Sequence, residues 1–546
     1  MSRRTKNRTR SGPAASRVLI ANELTRAQQI ARAVGCADNT TMRTLLDHAV
    51  PRLGRPRKIP LRSIAILLAL HAIRTGSSMI VSQIVRTAAD LTPSERRTIG
   101  IPAGIAVTDK RIRSGVSALI GRSAVGVHIP HDHPEADPAT GEVIDCGPSC
   151  NHTDADLDEI LTDILLASLP DGYRAKLPTA IAIDGTDIES HYRRKQPGPA
   201  TPANQKWDCI DTEVALGKRT PTDRRRTEFY VGYEAHIATI LPSGADQELP
   251  LLATGLAVRP GVRDRNAAAM AIIRRLGNLT EVLADRAYTT AKPERWARPL
   301  RSLGISNTKD LHETQRGVRP GPVPGTIWLD GRLHSAAIPT DLRELQPPRP
   351  GDSATVKARR RDEFDRRRKY EFVAHKAPDP VTGAQRFKGP ALAGRVRCRN
   401  IPKSMRGDPS RQALTACQKG TPCGCGATVT VPVTTHERDR QPLPWQSTAW
   451  AKVWNRRSRI EGLNGLARYQ DVNLNRGYIR CRGRAATGVL TAFALLGMNI
   501  RRLYRWHTTR GLDDPWRLAL NEEPDTRPLD HYYRTDRRSR SPVTRQ

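Results

Sequence analysis

Between residues 180 and 305 the hydrophobic pattern switches period in a fixed order, and that order limits the folds open to the chain. TAIAID, EFYVGYEAHIATI and LLATGLAV are short apolar runs with the β-branched and aromatic content of buried strands. NAAAMAIIRRL then carries apolar residues at helical spacing, EVLAD returns to strand character, and PERWARPLRSLGI reads as a second helix. Three strands followed by helix, strand, helix predict an α/β domain in which helices cover a sheet. Two of the strands end in an acid, Asp184 after IAI and Asp285 after VLA.

The flanks predict further units. Residues 1–17 form a basic arm without periodicity, and residues 18–125 read as a helical, DNA-binding region. In that region LRSIAILLALHAIRTG and MIVSQIVRTAADL are separated by Gly76, and TPSERR offers a Thr N-cap with Glu three residues on. The pair fits a helix-turn-helix and equally an ordinary helix pair. Ahead of it, Leu53-Gly54-Arg55-Pro56-Arg57-Lys58 resembles the Gly-Arg-Pro core of minor-groove AT-hooks, with Arg55 and Arg57 as DNA contacts; a solvated basic linker is the alternative. Residues 126–165 form a His- and Cys-containing linker and 166–310 the first part of the α/β core. Residues 311–445, Pro-rich and too long for a plain loop, form an insertion domain. Helical patterning resumes over 446–510, and 511–546 is a basic tail.

Lys and Arg number 89 against 55 Asp and Glu, a formal charge of +34, so the chain should attract polyanions in a strongly salt-dependent way. The basic start leads into no apolar segment, and the longest apolar runs fall short of the ~20 residues of a membrane span. A cytoplasmic, nucleoid-associated location without membrane contact is expected. Nine cysteines, an odd number, fit reduced thiols or metal ligands better than a disulfide framework.

A third acid, Glu461, stands in an arginine-rich helical stretch. At about 100° per residue, Trp454, Arg457, Glu461 and Arg468 fall within about 60° of arc, so one helix face would carry an acid, two arginines and an aromatic. Carboxylates drawn from two strand tips and a helix suit Mg²⁺ or Mn²⁺ and leave coordination positions for phosphate and water. The arginines would hold phosphates and the indole could stack on a base. Glycines at 462 and 465 argue against a continuous helix there.

IAIDGT, then VLADRAY, then Trp454-x2-Arg457-x3-Glu461-x6-Arg468 resembles the cut-and-paste insertion-sequence transposases of the DDE type. Their Tyr-x2-Arg-x3-Glu-x6-Lys signature has this spacing, with Trp for Tyr and Arg for Lys here. YVGYEAHI and RPGVRDRNAA resemble further family segments, and the likeness spans about Ala180 to Leu503, interrupted by the insertion. The resemblance implies an RNase H-like core, split before its last catalytic helix, in which the first and fourth strands are neighbours. It also implies Asp184, Asp285 and Glu461 as ligands of two Mg²⁺ or Mn²⁺ ions about 3.5 to 4 Å apart, acting on double-stranded DNA at element ends and target. Strand cleavage and strand transfer at inverted terminal repeats would follow, with a homodimer joining two ends. A nuclease without strand transfer and a non-catalytic repressor are the competing readings.

Each acid also has a plainer role open to it. Asp184 before Gly185 could form a turn, Asp285 could pair with Arg286 or cap a helix, and Glu461 could pair with Arg457 on the surface. Asp187, and then Glu189, rival Asp184. Cys398, Cys417, Cys423 and Cys425 could close a tetrahedral Zn²⁺ site that staples a segment poor in apolar residues. His128, His131, His133, Cys146, Cys150 and His152 form a second, irregularly spaced set. His236, within a strand, reads as a packed residue.

Overall fold

The computed structural model describes residues 23–49, 56–75, 78–120, 154–192, 209–221, 226–244, 247–379 and 381–524. Six helices come first: α1 (Arg26–Asp38), α2 (Thr40–Ala49), α3 (Leu61–Thr75), α4 (Val81–Ala89), α5 (Pro93–Thr98) and α6 (Asp109–Leu119). The expected capping box opens α5, with Thr92 Oγ1 accepting from the Glu95 amide and Glu95 accepting from the Thr92 amide. After α7 (Asp154–Leu166) and α8 (Asp171–Arg174) the chain enters its central sheet.

That sheet is mixed. β1 (Ala180–Glu189) runs antiparallel to β3 (Phe229–Leu241), from Ala180 opposite Leu241 to Glu189 opposite Gly232. On its other side β1 runs parallel to β5 (Glu281–Ala284), which is parallel in turn to β6 (Ser306–Thr308). β2 (Ala215–Lys218) and β4 (Ala253–Pro260) lie end to end along the far edge of β3, both antiparallel to it. The join is close: a Cβ on Gly261 would lie 2.5 Å from the Leu216 carbonyl oxygen.

Alternate residues of the strands feed two cores, as a sheet covered on both faces requires. Ile181, Ile183, Ala238 and Ile240 pack against α9 (Arg265–Leu276) and against Trp296 and Leu300, which flank and lie in the segment of α10 (Arg286–Thr289) and α11 (Ala297–Ser302). Ala182, Ala235, Ile237 and Leu256 face the larger core. The sequence pattern therefore gives the α/β class and the order of the main strands. It stops β1 five residues early and omits β2 and β6.

Residues 311–445, expected to form an insertion, are ordered around three small cores. β7 (Val318–Pro320), β8 (Thr326–Leu329) and β9 (Arg332–Ser335) form a meander, followed by α12 (Thr340–Arg343) and α13 (Ala354–Arg366). β10 (Val373–Ala374), β11 (Gln385–Lys388) and β14 (Thr428–Val431) form a second sheet, and β12 (Val396–Arg397) pairs with β13 (Ala413–Leu414). The chain returns to the sheet through α14 (Thr448–Trp454), a 3₁₀ turn at Asn455–Arg457, α15 (Ser458–Tyr469), α16 (Arg484–Thr508) and α17 (Pro515–Ala519).

Packing redraws three of the expected boundaries. α3 is buried along its length and crosses α16 so closely that a Cβ on Gly497 would lie 2.5 Å from the backbone of Ala72. The N-terminal helices thus share one hydrophobic core with the sheet and do not stand apart from it. α7, placed by sequence in a linker, carries the larger core against β4, where Asp158 and Arg259 form a buried ion pair. Part of the basic tail is also fixed. Trp516 is buried against Gly35, and Asp514 pairs with buried Arg32 at 2.6 Å. Among the described residues no helix is long and apolar enough to cross a membrane.

Candidate active site

The parallel register places Ile183 of β1 opposite Ala284 of β5, so Asp184 and Asp285 occupy the next level of the two strands. There the pair separates. β5 ends and the chain turns into α10, whose first turn Asp285 caps by accepting from the Ala287 amide at 2.9 Å. β1 continues as a strand paired only to β3, so Asp184-Gly185 is no turn. Gly185 is needed for space, since its Cβ would meet Glu234 Oε1 at 2.6 Å.

The third acid comes from α15, which crosses β1 and β3. Asn464 Nδ2 donates to Asp184 Oδ2 at 3.0 Å, and Glu461 precedes Asn464 by about one helical turn. Glu461 is 60% exposed and accepts from Arg457 at 3.0 Å, which leaves it open to a ligand from solvent. The Arg457 guanidinium lies 5.4 Å from the centre of the Trp454 ring, which stacks on Trp450. The helix continues through both glycines. A Cβ at 465 would touch nothing within 4 Å and one at 462 only Leu251, so here they mark an uncrowded surface.

The charges around Asp184 do not balance. Burial, then the Asp285 carboxylate and more weakly that of Glu461, push its pKa up to about 7, against the opposing pull of Arg457. Asp184, Asp285 and Glu461 act on one another electrostatically, and Asn464, bonded to Asp184, has a buried Oδ1 without a hydrogen-bond partner, so the donors on offer are hard oxygens. A divalent cation fits such a set on both charge and donor type. Among the described residues the ligand atoms already drawn within 4.8 Å of one another are those of the four cysteines at 398–425 alone.

A further layer lies behind the acids. Glu234 is held bidentately by Arg265 at 2.7 and 2.8 Å; burial raises its carboxyl pKa and the arginine draws it back. His236 is fully buried and bonded through Nδ1 to the Tyr288 hydroxyl at 2.7 Å, and burial drives its pKa well down, so it is a neutral packed residue. Asn266 donates to the Tyr288 carbonyl, tying α9 to the turn after Asp285. Asn464, Glu234, Arg265 and Tyr288 were not singled out from sequence, although each lies within or beside a segment that drew attention.

Other expectations are corrected. Arg468 does not face outward for phosphate. It is 4% exposed and donates to Thr186 Oγ1 at 2.9 and 2.7 Å and to Asp187 Oδ1 at 2.8 Å. Arg468 does share a face of the unbroken α15 with Glu461, but it lies about two turns farther along, where that face packs on β1 and takes its guanidinium into Thr186 and Asp187. Asp187 is bound by Arg468 and Arg219, and Glu189 lies near Arg219 and Arg476, so both rivals are engaged in ion pairs with arginines. Arg286 pairs with Asp310, not Asp285. Arg57 donates to Ser114 at the surface; Arg55 and the second His/Cys set, 128–152, lie outside the described residues. Beyond Asp187 a cleft of about 460 Å³ is lined by Arg219, Arg226, Arg468 and Arg476.

No family model matches the chain, and no curated protein matches it. Among solved structures, one match is the piggyBac transposase in a synaptic complex with hairpin DNA. It is 9% identical, has a TM-score of 0.31, and the match covers 94% of this chain and 84% of that one.

Proposed function

We propose that the chain is a DDE-type DNA transposase that cuts and joins DNA strands at the terminal repeats of an insertion sequence. What supports this reading most is that β1 and β5 carry Asp184 and Asp285 to the same level where they part, that Asn464 of α15 bonds Asp184, and that Asp285 and Glu461 both act on the Asp184 carboxyl. The strand order β4, β3, β1, β5, β6, with β1 antiparallel to β3 and parallel to β5, supports an RNase H-like core. The charge of +34 supports a polyanionic substrate.

Asp184, Asp285 and Glu461 would hold the ions. Asn464 fixes one oxygen of Asp184, which orients the other toward a ligand. A pair of Mg²⁺ or Mn²⁺ ions bound there would supply Lewis-acid stabilisation of the phosphoryl oxygens and activation of water and of a freed 3′-hydroxyl. Arg457, poised between Trp454 and Glu461, is placed to take a phosphate beside the acids, and Trp454 to stack on an unpaired base. Arg226 and Arg476, exposed at the rim of the cleft beyond Asp187, would extend the phosphate path, and a dimer would hold two ends.

The test is incubation of the full chain with Mg²⁺, labelled element ends and a circular target. Joined products are expected; cut ends without joining would replace the proposal with a nuclease. Glu461→Gln should abolish cleavage and leave DNA binding intact, because an exposed glutamate contributes little to the fold. No cleavage by the wild-type chain, with binding retained, would favour a repressor.

A further inference from the structure

The insertion gathers Cys398, Cys417, Cys423 and Cys425 at one point, with all four sulfurs within 4.8 Å of one another. They come from three places: the end of β12, the segment after β13, and the turn before β14. The Sγ separations are 3.6 Å for Cys398 to Cys423 and 3.7 Å for Cys417 to Cys425. A disulfide needs roughly 2.05 Å. Four thiolates at about 2.3 Å from one zinc ion define a tetrahedron with edges of roughly 3.8 Å, close to both separations. An iron–sulfur cluster has a core of several atoms and needs its cysteines farther apart.

The surroundings are those of a held ligand set. Ser335 donates to the Cys423 carbonyl at 2.7 Å and contacts Cys425 Sγ at 3.1 Å. Asn400 Nδ2 points at Cys423 Sγ from 3.5 Å while bonding the carbonyls of Gln418 and Thr421, and its Oδ1 accepts from the Gly420 amide. One asparagine thus fixes the loop between the second and third cysteines, an outer-layer role that metal ligands commonly require. Gly424, between Cys423 and Cys425, has φ +67°, and a Cβ there would lie 2.2 Å from the Gly325 carbonyl oxygen. The glycine allows the two thiols to share one site at a single-residue spacing.

We infer that these four cysteines bind one structural Zn²⁺ ion that closes this lobe of the insertion. The need is visible in the packing. The apolar cluster around the site has few buried members, chiefly Leu329, Ile338, Leu342, Tyr370 and Val396, and counts Cys398 and Cys425 among them. Cores of that size need a metal or another cross-link. With all four ligands from protein, the site is closed and non-catalytic. The inference is independent of the function proposed for the acids.

The test is elemental analysis of the full chain, purified without a metal-affinity step. One zinc per chain is expected, and exchange with Co²⁺ should give the absorption of a tetrahedral four-thiolate ion. Cys423→Ser should lose the metal, whereas Cys481→Ser, whose thiol lies elsewhere beside Thr487, should keep it. Because the wild-type ratio is read directly, misfolding of a variant cannot mask the answer. Zinc-free native chain whose four thiols all titrate, a disulfide between any two of them, or iron in place of zinc would overturn the inference.

Discussion

Replacing Arg468 with Met should loosen β1 and leave the electrostatics of DNA binding unchanged. The guanidinium is 4% exposed, its partner Asp187 is 8% exposed, and both Thr186 and Asp187 depend on it. Arg219 still holds Asp187 at 2.9 Å, so the variant keeps one of the two pairings. Breaking a buried pair by removing one partner costs about 3–5 kcal/mol, and the remaining arginine places the expectation near the lower end, about 3 kcal/mol. Hydrogen exchange of the β1 amides followed by mass spectrometry reads this locally, and about 3 kcal/mol corresponds to roughly a hundredfold faster opening. An Asp187→Asn, Arg468→Met double variant should cost less than the sum of the singles, because the two share the interaction. The salt dependence of DNA binding should stay parallel to wild type. The reasoning is refuted if β1 exchange is unaltered while the salt slope drops by about 0.9, the signature of a lost phosphate contact.

Two further outcomes are expected. Lys309 is buried, donates to the Arg438 carbonyl, and has its pKa lowered by burial from 10.5 to about 8. Between those values the unfolded chain binds more protons, so Lys309's contribution to stability rises with pH across that window, by about 3 kcal/mol, and is flat below about 8. Wild type minus Lys309→Met, measured by denaturant unfolding from pH 7 to 11, should show that rise, and a constant difference would contradict it. Gly185→Ala should cost about 1–3 kcal/mol and lower cleavage, because the new Cβ meets Glu234, which Arg265 holds in place. The cost should shrink in a Glu234→Ala background; an equal cost there would show that the crowding lies elsewhere.

How far the sequence could be read depended on how local the governing physics is. The strands around Asp184 and Asp285 and the helix at Arg265–Leu276 follow from periodicity, and the capping box at Thr92 from four adjacent residues. β2 and β6 are too short to carry a pattern and exist because β3 and β5 offer edges to pair with. Arg468 was misplaced although its bearing on the helix was right: a helical wheel does not say which part of a face is covered, and at Arg468 the face lies against Thr186 and Asp187 of β1. Asn464 could not be weighed from sequence at all: its bond to Asp184 joins residues 280 positions apart. The union of the N-terminal helices with α16 is likewise a long-range packing fact, visible in sequence only as the unusually apolar faces of both segments.

The central claim is that Asp184, Asp285 and Glu461 form one cation site, and Mn²⁺ reports on it directly. A crystal soaked in Mn²⁺ should show anomalous scattering between the three carboxylates, and Asp184→Asn should remove it while the Cys398 to Cys425 lobe keeps its own metal. Scattering absent from that position in a soaked wild-type crystal, or unchanged in Asp184→Asn, would contradict the account.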